Sequence, residues 1–187
     1  MLLVLAILTI LLEFEEIISC QPKVLHRQQL FCSSDYVFQV QTEGVANKGD
    51  DLFERFYRVS VIDSYKGSIG TDFDGTVTGN GFFMSCGPQI LKKGSKYLIY
   101  AYVFNNDIRI REFYNMTDIT KTDLELFQKY DCHCEIVADK DGIILQHLKH
   151  SGKCSSPIPG SSKCSYRRGY CRRNQEGVCQ WQVLNPC

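Results

Sequence analysis

The chain carries no net charge: lysine and arginine together number 21, and so do aspartate and glutamate. Without a positive excess there is no electrostatic basis for holding a phosphate backbone, so nucleic-acid binding is not expected. Also missing are H-E-x-x-H, G-x-S-x-G and phosphate-loop signatures, and no nucleophile stands beside a recognisable base. Enzymatic activity is therefore not expected. Past the first dozen residues no stretch is long and apolar enough for a membrane-crossing helix. Neither an internal repeat nor a flexible linker interrupts the 187 residues.

What is present begins with Leu2 to Leu12, apolar throughout except for Thr9 and too short to span a bilayer. With the small residue Ser19 downstream, the run reads as a secretion signal over residues 1–19, cleaved before Cys20. No basic residue precedes the run, and Glu13, Glu15 and Glu16 crowd a cleavage region where small neutral residues are usual. Removing those glutamates leaves 21 basic against 18 acidic residues, a charge of +3, on a product expected to be soluble, secreted and extracellular. All ten cysteines lie from Cys20 onward. An even number in an exported chain predicts five disulfides rather than metal-bound or catalytic thiols. That applies also to Cys132-His133-Cys134, whose spacing would otherwise tempt a metal reading.

Alternating, β-branched and aromatic runs predict five strands, at Tyr36 to Glu43, Phe53 to Tyr65, Thr71 to Thr78, Lys96 to Phe104 and Ile108 to Tyr114. Between them stand turn clusters: Asn47 to Asp50, Gly67 to Gly70, Gly79-Asn80-Gly81, Lys92 to Ser95 and Asn105-Asn106-Asp107. Thr120 followed by Asp123 is an N-cap signature opening a short helix over Leu124 to Tyr130. Such a sheet with a flanking helix is compatible with a closed OB-type barrel, although periodicity alone does not separate that from a sandwich. After Cys134 the segments become shorter and denser in cysteine, with Asp139 to Gly142 as a hairpin turn and Ser155 to Ser162 as a proline-containing loop. A core that small needs covalent staples.

At the end of a cleaved signal, Cys20 would present its α-amino nitrogen and its own carbonyl oxygen on one rigidly held half-cystine, the geometry of a bidentate chelate for a zinc ion held by another protein. Cys20, His26, Gln28, Phe31, Cys32 and Asp35 follow the spacing C-x5-H-x-Q-x2-F-C-x2-D. This pattern resembles the N-terminus of the tissue inhibitors of metalloproteinases, and the resemblance continues through most of the chain. It implies a mainly β fold: a five-stranded OB-like (netrin-like) Greek-key barrel with short flanking helices in residues 20–132, and a small disulfide-rich β subdomain in residues 133–187. It also implies a secreted inhibitor of extracellular zinc metalloproteinases, with no cofactor of its own. In that family the terminal amine and carbonyl coordinate the protease's catalytic zinc. Matched by position, Cys20 carries the chelate, Gln21 points into the first primed-side pocket, Pro22 and Lys23 extend the ridge, and Phe83, Met84 and Ser85 form the second contact segment. Matched in the same way, Cys20 bonds Cys86, Cys32 bonds Cys132, Cys134 bonds Cys179 and Cys154 bonds Cys171. Cys164 and Cys187 have no clear counterparts and pair by elimination among the fifteen connectivities open to six cysteines.

The chain departs from the family in two places. Gln21 stands where a small Ser or Thr is usual, and a family disulfide is missing as a unit, with Pro22 at one end and Glu112 or Phe113 at the other. Proline fixes φ and partly replaces the lost rigidity. Elsewhere plainer readings compete with functional ones. His26 and Gln28 read as scaffold or surface residues before they read as ligands, and His147 and His150 as solvated side chains before a zinc pair. Arg167, Arg168, Arg172 and Arg173, interleaved with Tyr166 and Tyr170, form the strongest basic cluster. A solvated face is the default there, and binding of sulfated glycosaminoglycan the functional alternative. Asn115-Met116-Thr117 is the glycosylation sequon. The rival to inhibition is a netrin-like extracellular module that binds a partner and inhibits nothing.

Overall fold

A computed structural model of the chain describes residues 25–46, 52–69, 73, 75–138, 152–156 and 163–184. Five strands close into a barrel: β1 (Tyr36–Val45) pairs with β2 (Glu54–Lys66), β2 with β3 (Thr76–Asn80), β3 with β5 (Asp107–Asn115), β5 with β4 (Lys96–Phe104), and β4 again with β1. All of these contacts are antiparallel except β3 with β5, which is parallel and made at Thr78 and Arg109. The mainly β closed barrel is therefore the fold, and the choice between barrel and sandwich is decided.

Burial follows what covers each strand. Phe38, Val40, Tyr57, Val59, Val77, Tyr97, Ile99 and Ile110 fill the barrel interior. On β2 they alternate with exposed Arg58 and Ser60, because that stretch has solvent on its outer face. On β4, residues 97–101 are buried without a break. The outward pair Leu98 and Tyr100 lies beneath helix α1 (Arg27–Ser33) and the helical segment after Thr120, where Leu30, Phe31 and Phe127 complete a second apolar cluster. Phe31 stacks on Phe127 at 5.1 Å between centroids.

Helix α1 is one of the short flanking helices that the resemblance implies, at a place that no local sequence pattern marks. His26 is its N-cap, accepting the Gln28 N–H on its ring while Gln29 reaches back to the His26 N–H. At the other end Lys66 donates to the carbonyls of Phe31, Cys32 and Ser34 at 2.7, 3.0 and 2.6 Å, placing a cation on the helix C-terminus. The signature at Thr120 and Asp123 does form a reciprocal capping box, but it opens α2 at Lys121–Glu125, followed by a 3₁₀ turn at Leu126–Gln128, rather than a helix over Leu124 to Tyr130.

Other expectations need correction. The third strand begins at Thr76, not Thr71, because Gly75 has φ +80° and breaks the extended run. Gly79 and Asn80 end that strand instead of forming a turn, because they pair with Arg55 and Glu54 of β2; a Cβ at Gly79 would come within 3.4 Å of both Gln89 and Tyr57, which suits a glycine there. The Asn105-Asn106 turn does form, with φ of 51° and 66°, the left-handed pair that a tight hairpin requires.

Beyond the barrel, β6 (Glu135–Ala138) pairs with β7 (Lys153–Ser156), and β8 (Gly169–Arg173) with β9 (Cys179–Val183); a short helix α3 (Lys163–Arg167) precedes β8. The β6–β7 pair is parallel, which a tight hairpin cannot produce, so no hairpin turn joins these two strands. Asp139 to Gly142 themselves lie outside the described residues, and Ser155 and Ser156 belong to β7 rather than to a loop. Disulfides join Cys32 to Cys132, Cys134 to Cys179 and Cys154 to Cys171. Cys86 and Cys164 are disulfide-bonded as well, and the pairings expected for them involve Cys20 and Cys187, which lie outside the described residues. Closing the loop between Cys32 and Cys132, 100 residues apart, removes chain entropy worth about 5 kcal/mol from the unfolded state.

Candidate functional site

The segment between β3 and β4 leaves the barrel at Gly81 and is tied to the residues that open β2. Gly81 donates to the Phe53 carbonyl at 2.8 Å and Phe83 to the Leu52 carbonyl at 2.6 Å. A turn then closes as Gly87 donates to the Met84 carbonyl at 2.7 Å, with Gly87 at φ +72°. These bonds fix the backbone and leave the side chains outward: Phe82, Phe83 and Met84 are 52, 66 and 41% exposed, and Ser85 and Cys86 are exposed too. Arg55 lies over the Phe82 ring at 5.0 Å, and the Phe53 ring meets that of Phe83 edge-on at 5.9 Å. The result is a rigid apolar ridge ending in a half-cystine. Cys20, Gln21, Pro22 and Lys23 lie outside the described residues, as do His147 and His150. Of the two positions at the near end of the missing family disulfide, Phe113 packs edge-on against Tyr97 at 5.7 Å, and Pro22 at the far end lies outside the described residues.

A second group of polar residues faces the cysteine-rich region. His26 is 3% exposed; its Nδ1 accepts from Gln28 and its Nε2 donates to the Tyr166 carbonyl at 3.0 Å, which sets the neutral tautomer. Burial, opposed by that hydrogen bond and helped by the nearby Arg27 charge, lowers its pKa to about 4. Gln28 behaves as an extra strand residue. Its amide accepts from the Cys171 N–H at 2.7 Å and donates to the Cys171 and Asp131 carbonyls at 2.8 and 3.1 Å. Both residues are scaffold.

The arginine cluster is not one solvated face. Arg167 and Arg27 share the Asp123 carboxylate, at 3.0 and 2.5 Å. Burial by itself would raise the Asp123 pKa, but the hydrogen bonds from Arg167 and Thr120 and the Arg27 charge outweigh it and hold the group at about 2. Arg173 pairs with Asp131 at 2.7 Å, and against the same penalty of burial it holds that carboxyl far below the usual range. Arg168 and Arg172 are exposed, with no ion pair among the described residues. Of the suspected metal group, Cys132 and Cys134 are both in disulfides, and exposed His133 hydrogen-bonds Asp131. Cys134, Cys171 and Cys179 lie close together for the same covalent reason. Asn115 accepts from both the N–H and the hydroxyl of Thr117 at 3.0 Å.

The barrel with a flanking helix, the bridge from Cys32 to Cys132, and the ridge before a bonded Cys86 are elements that the resemblance implied. A family model described as Tissue inhibitor of metalloproteinase matches residues 16–181. The chain belongs to this family. No individual curated protein sequence matches it. Membership makes it a metalloproteinase inhibitor by family, and a family of inhibitors rather than of enzymes. Among the described residues no helix is long and apolar enough to cross a membrane. The positional match made from the sequence assigns roles to Phe83, Met84 and Ser85 and none to Phe53, although the family match covers all four. The only sequence signal there is an aromatic residue at the start of a strand, which ordinarily marks a core position.

Proposed function

We propose that the mature chain is secreted after cleavage before Cys20 and blocks extracellular zinc metalloproteinases by seating its new N-terminus in the active-site cleft. Residues 20–132 carry the inhibition, and residues 133–187 add partner contacts. The α-amine and carbonyl of Cys20 would coordinate the protease's zinc and displace the water that it activates, leaving hydrolysis without its nucleophile. An α-amine with an ordinary pKa of about 8 loses its proton readily to a competing metal. Gln21 enters the first primed-side pocket, and Pro22, Lys23, Phe83, Met84 and Ser85 form the rest of the contact surface. A disulfide from Cys20 to Cys86 joins the two segments before binding, which lowers the ordering cost.

The observation that carries this reading is the ridge itself: exposed, apolar, pinned by backbone hydrogen bonds and ending at disulfide-bonded Cys86, in a member of a metalloproteinase-inhibitor family. The same proposal includes an N-glycan at Asn115. It also includes a sulfated-polysaccharide contact by the cluster of Arg167, Arg168, Arg172 and Arg173, in which Arg168 and Arg172 supply the uncommitted charge.

One alanine added before Cys20 tests the mechanism. The α-nitrogen becomes an amide nitrogen whose lone pair is delocalised and cannot bind metal. Inhibition of a panel of zinc metalloproteinases is expected to vanish with the fold intact, whereas Gln21→Gly weakens binding by roughly 1 to 3 kcal/mol. Undiminished inhibition by the extended form removes the chelate. Absence of inhibition by either form makes the non-inhibitory binding module the better account.

A further inference from the structure

Among the described residues, the seam between β3 and β5 is made at a single pair, Thr78 and Arg109. On the N-terminal side of that pair a cavity of about 740 Å³ lies between Thr76 and Thr78 of β3 and Asp107 and Ile108 of β5. Its volume falls within the roughly 300–1,000 Å³ of small-molecule sites, which favour the mouths of β-barrels. Tyr36, Ile69, Phe73 and Ile108 line it while packing against the barrel core, and each is only half-buried, so the cavity rests directly on the core. Phe56 of β2 adds a third aromatic ring to those of Tyr36 and Phe73. None of the ridge residues Phe82 to Cys86 is part of this lining.

The polar groups around the cavity narrow what it can hold. Thr78 is 4% exposed, yet its hydroxyl makes no hydrogen bond among the described residues. A hydroxyl buried that deeply is ordinarily satisfied, so one left over on a cavity wall points to a ligand group. Asp107 stands exposed at the rim, in no ion pair among the described residues, and no lysine or arginine is among the lining residues. Aromatic walls with a carboxylate as the charged group disfavour an anion. They favour a cation with an apolar body, attracted by ring faces and by the carboxylate together.

We propose that this cavity is a binding site for small hydroxylated aromatic amines. The ligand's ring lies among Tyr36, Phe56 and Phe73, its ammonium pairs with Asp107, and its hydroxyl bonds the buried Thr78. Phe56, Thr78 and Ile108 belong to strands, so much of the wall is in place before binding and little ordering is required. The proposal does not depend on the inhibitory reading.

The test titrates the full mature chain with tyramine and with 4-hydroxyphenylacetate, which keeps the ring and hydroxyl but carries a carboxylate in place of the amine. Backbone amide shifts locate binding, and calorimetry measures its strength. Tyramine is expected to give saturable shifts at Phe56, Thr78, Asn106 and Ile108, and the acid none. Asp107→Asn should weaken tyramine about tenfold, the ordinary effect of losing a charge-assisted bond, and Thr78→Val severalfold. Thermal unfolding checks that both variants keep the fold, and the comparison of the two ligands needs no variant. Equal binding of amine and acid, undiminished binding by Asp107→Asn, shifts centred elsewhere, or no saturable binding at millimolar tyramine each overturns the proposal.

Discussion

The barrel and the cysteine-rich region after it are held together by different means. Inside the barrel, Phe38, Tyr57, Val77 and Ile99 are fully buried among one another, and closure of the sheet removes exposed strand edges. Beyond it, the buried cluster consists of Cys134, Cys154, Cys171, Cys179 and Ile136, with Trp181 packed against it. Four of those five residues are half-cystines. A five-stranded sheet encloses enough apolar volume to stand by packing, whereas two-stranded ribbons do not and rely on crosslinks. Between the two, the join is polar, made of Gln28 on Cys171, His26 on Tyr166, and the two carboxylates Asp123 and Asp131 with their arginines.

The contrast is broken most severely by deleting what each side depends on. Phe38→Ala is expected to cost the barrel about 3–5 kcal/mol. Cys134→Ser with Cys179→Ser is expected to cost about 2–5 kcal/mol, confined to the C-terminal strands. Trp181 is the chain's only tryptophan, so its fluorescence follows the cysteine-rich region while far-ultraviolet circular dichroism is dominated by the barrel. Denaturant titrations read by both probes should shift differently in the two variants. Identical shifts would mean one cooperative unit and no contrast to explain.

A smaller effect sharpens the description of the join. His26 titrates at about 4 in the fold and at its ordinary 6.5 when unfolded. Between those values the unfolded chain binds more protons, so the neutral ring's contribution is complete above pH 6.5 and is lost as pH falls toward 4. At pH 5 the loss should be about 2 kcal/mol relative to pH 7. Protonation also puts a hydrogen on Nδ1 against the Gln28 N–H. His26→Asn, which keeps a side-chain acceptor at the N-cap, should flatten this part of the pH dependence. A native denaturation midpoint unchanged from pH 7 to 5 would count against a neutral buried ring.

The smallest expected change concerns the basic cluster. Changing Arg168 and Arg172 to alanine should reduce retention on heparin and its sensitivity to salt. Changing Arg167 and Arg173 instead should matter more for the join, because each already faces a carboxylate. Equal retention by all variants would assign the cluster to solubility.

Much of the barrel was legible in the chain because strand alternation and turn chemistry are local. Lys96–Phe104 begins and ends where its aromatic and β-branched run does, and the Asn105-Asn106 pair turns because asparagine tolerates positive φ. The capping residues Thr120 and Asp123 are likewise a short-range signal. The site was half legible: family spacing led to Phe83, Met84 and Ser85, while nothing local joins Phe53 to Phe83 or directs Gln28 to Cys171.

By itself, then, the sequence determined most of the strand positions, the Asn105-Asn106 turn and a cysteine framework matched to a family, since each depends on neighbours within a few residues or on spacing. Only the tertiary structure decided that β3 starts after Gly75, that β6 and β7 run parallel, that α1 spans Arg27–Ser33, and that His26 is neutral and two of the four clustered arginines are paired. Each of those depends on a partner distant in sequence. Burial, charge pairing and the approach of one backbone to another are properties of the assembled barrel and its cysteine-rich neighbour, and no local stretch of residues contains them.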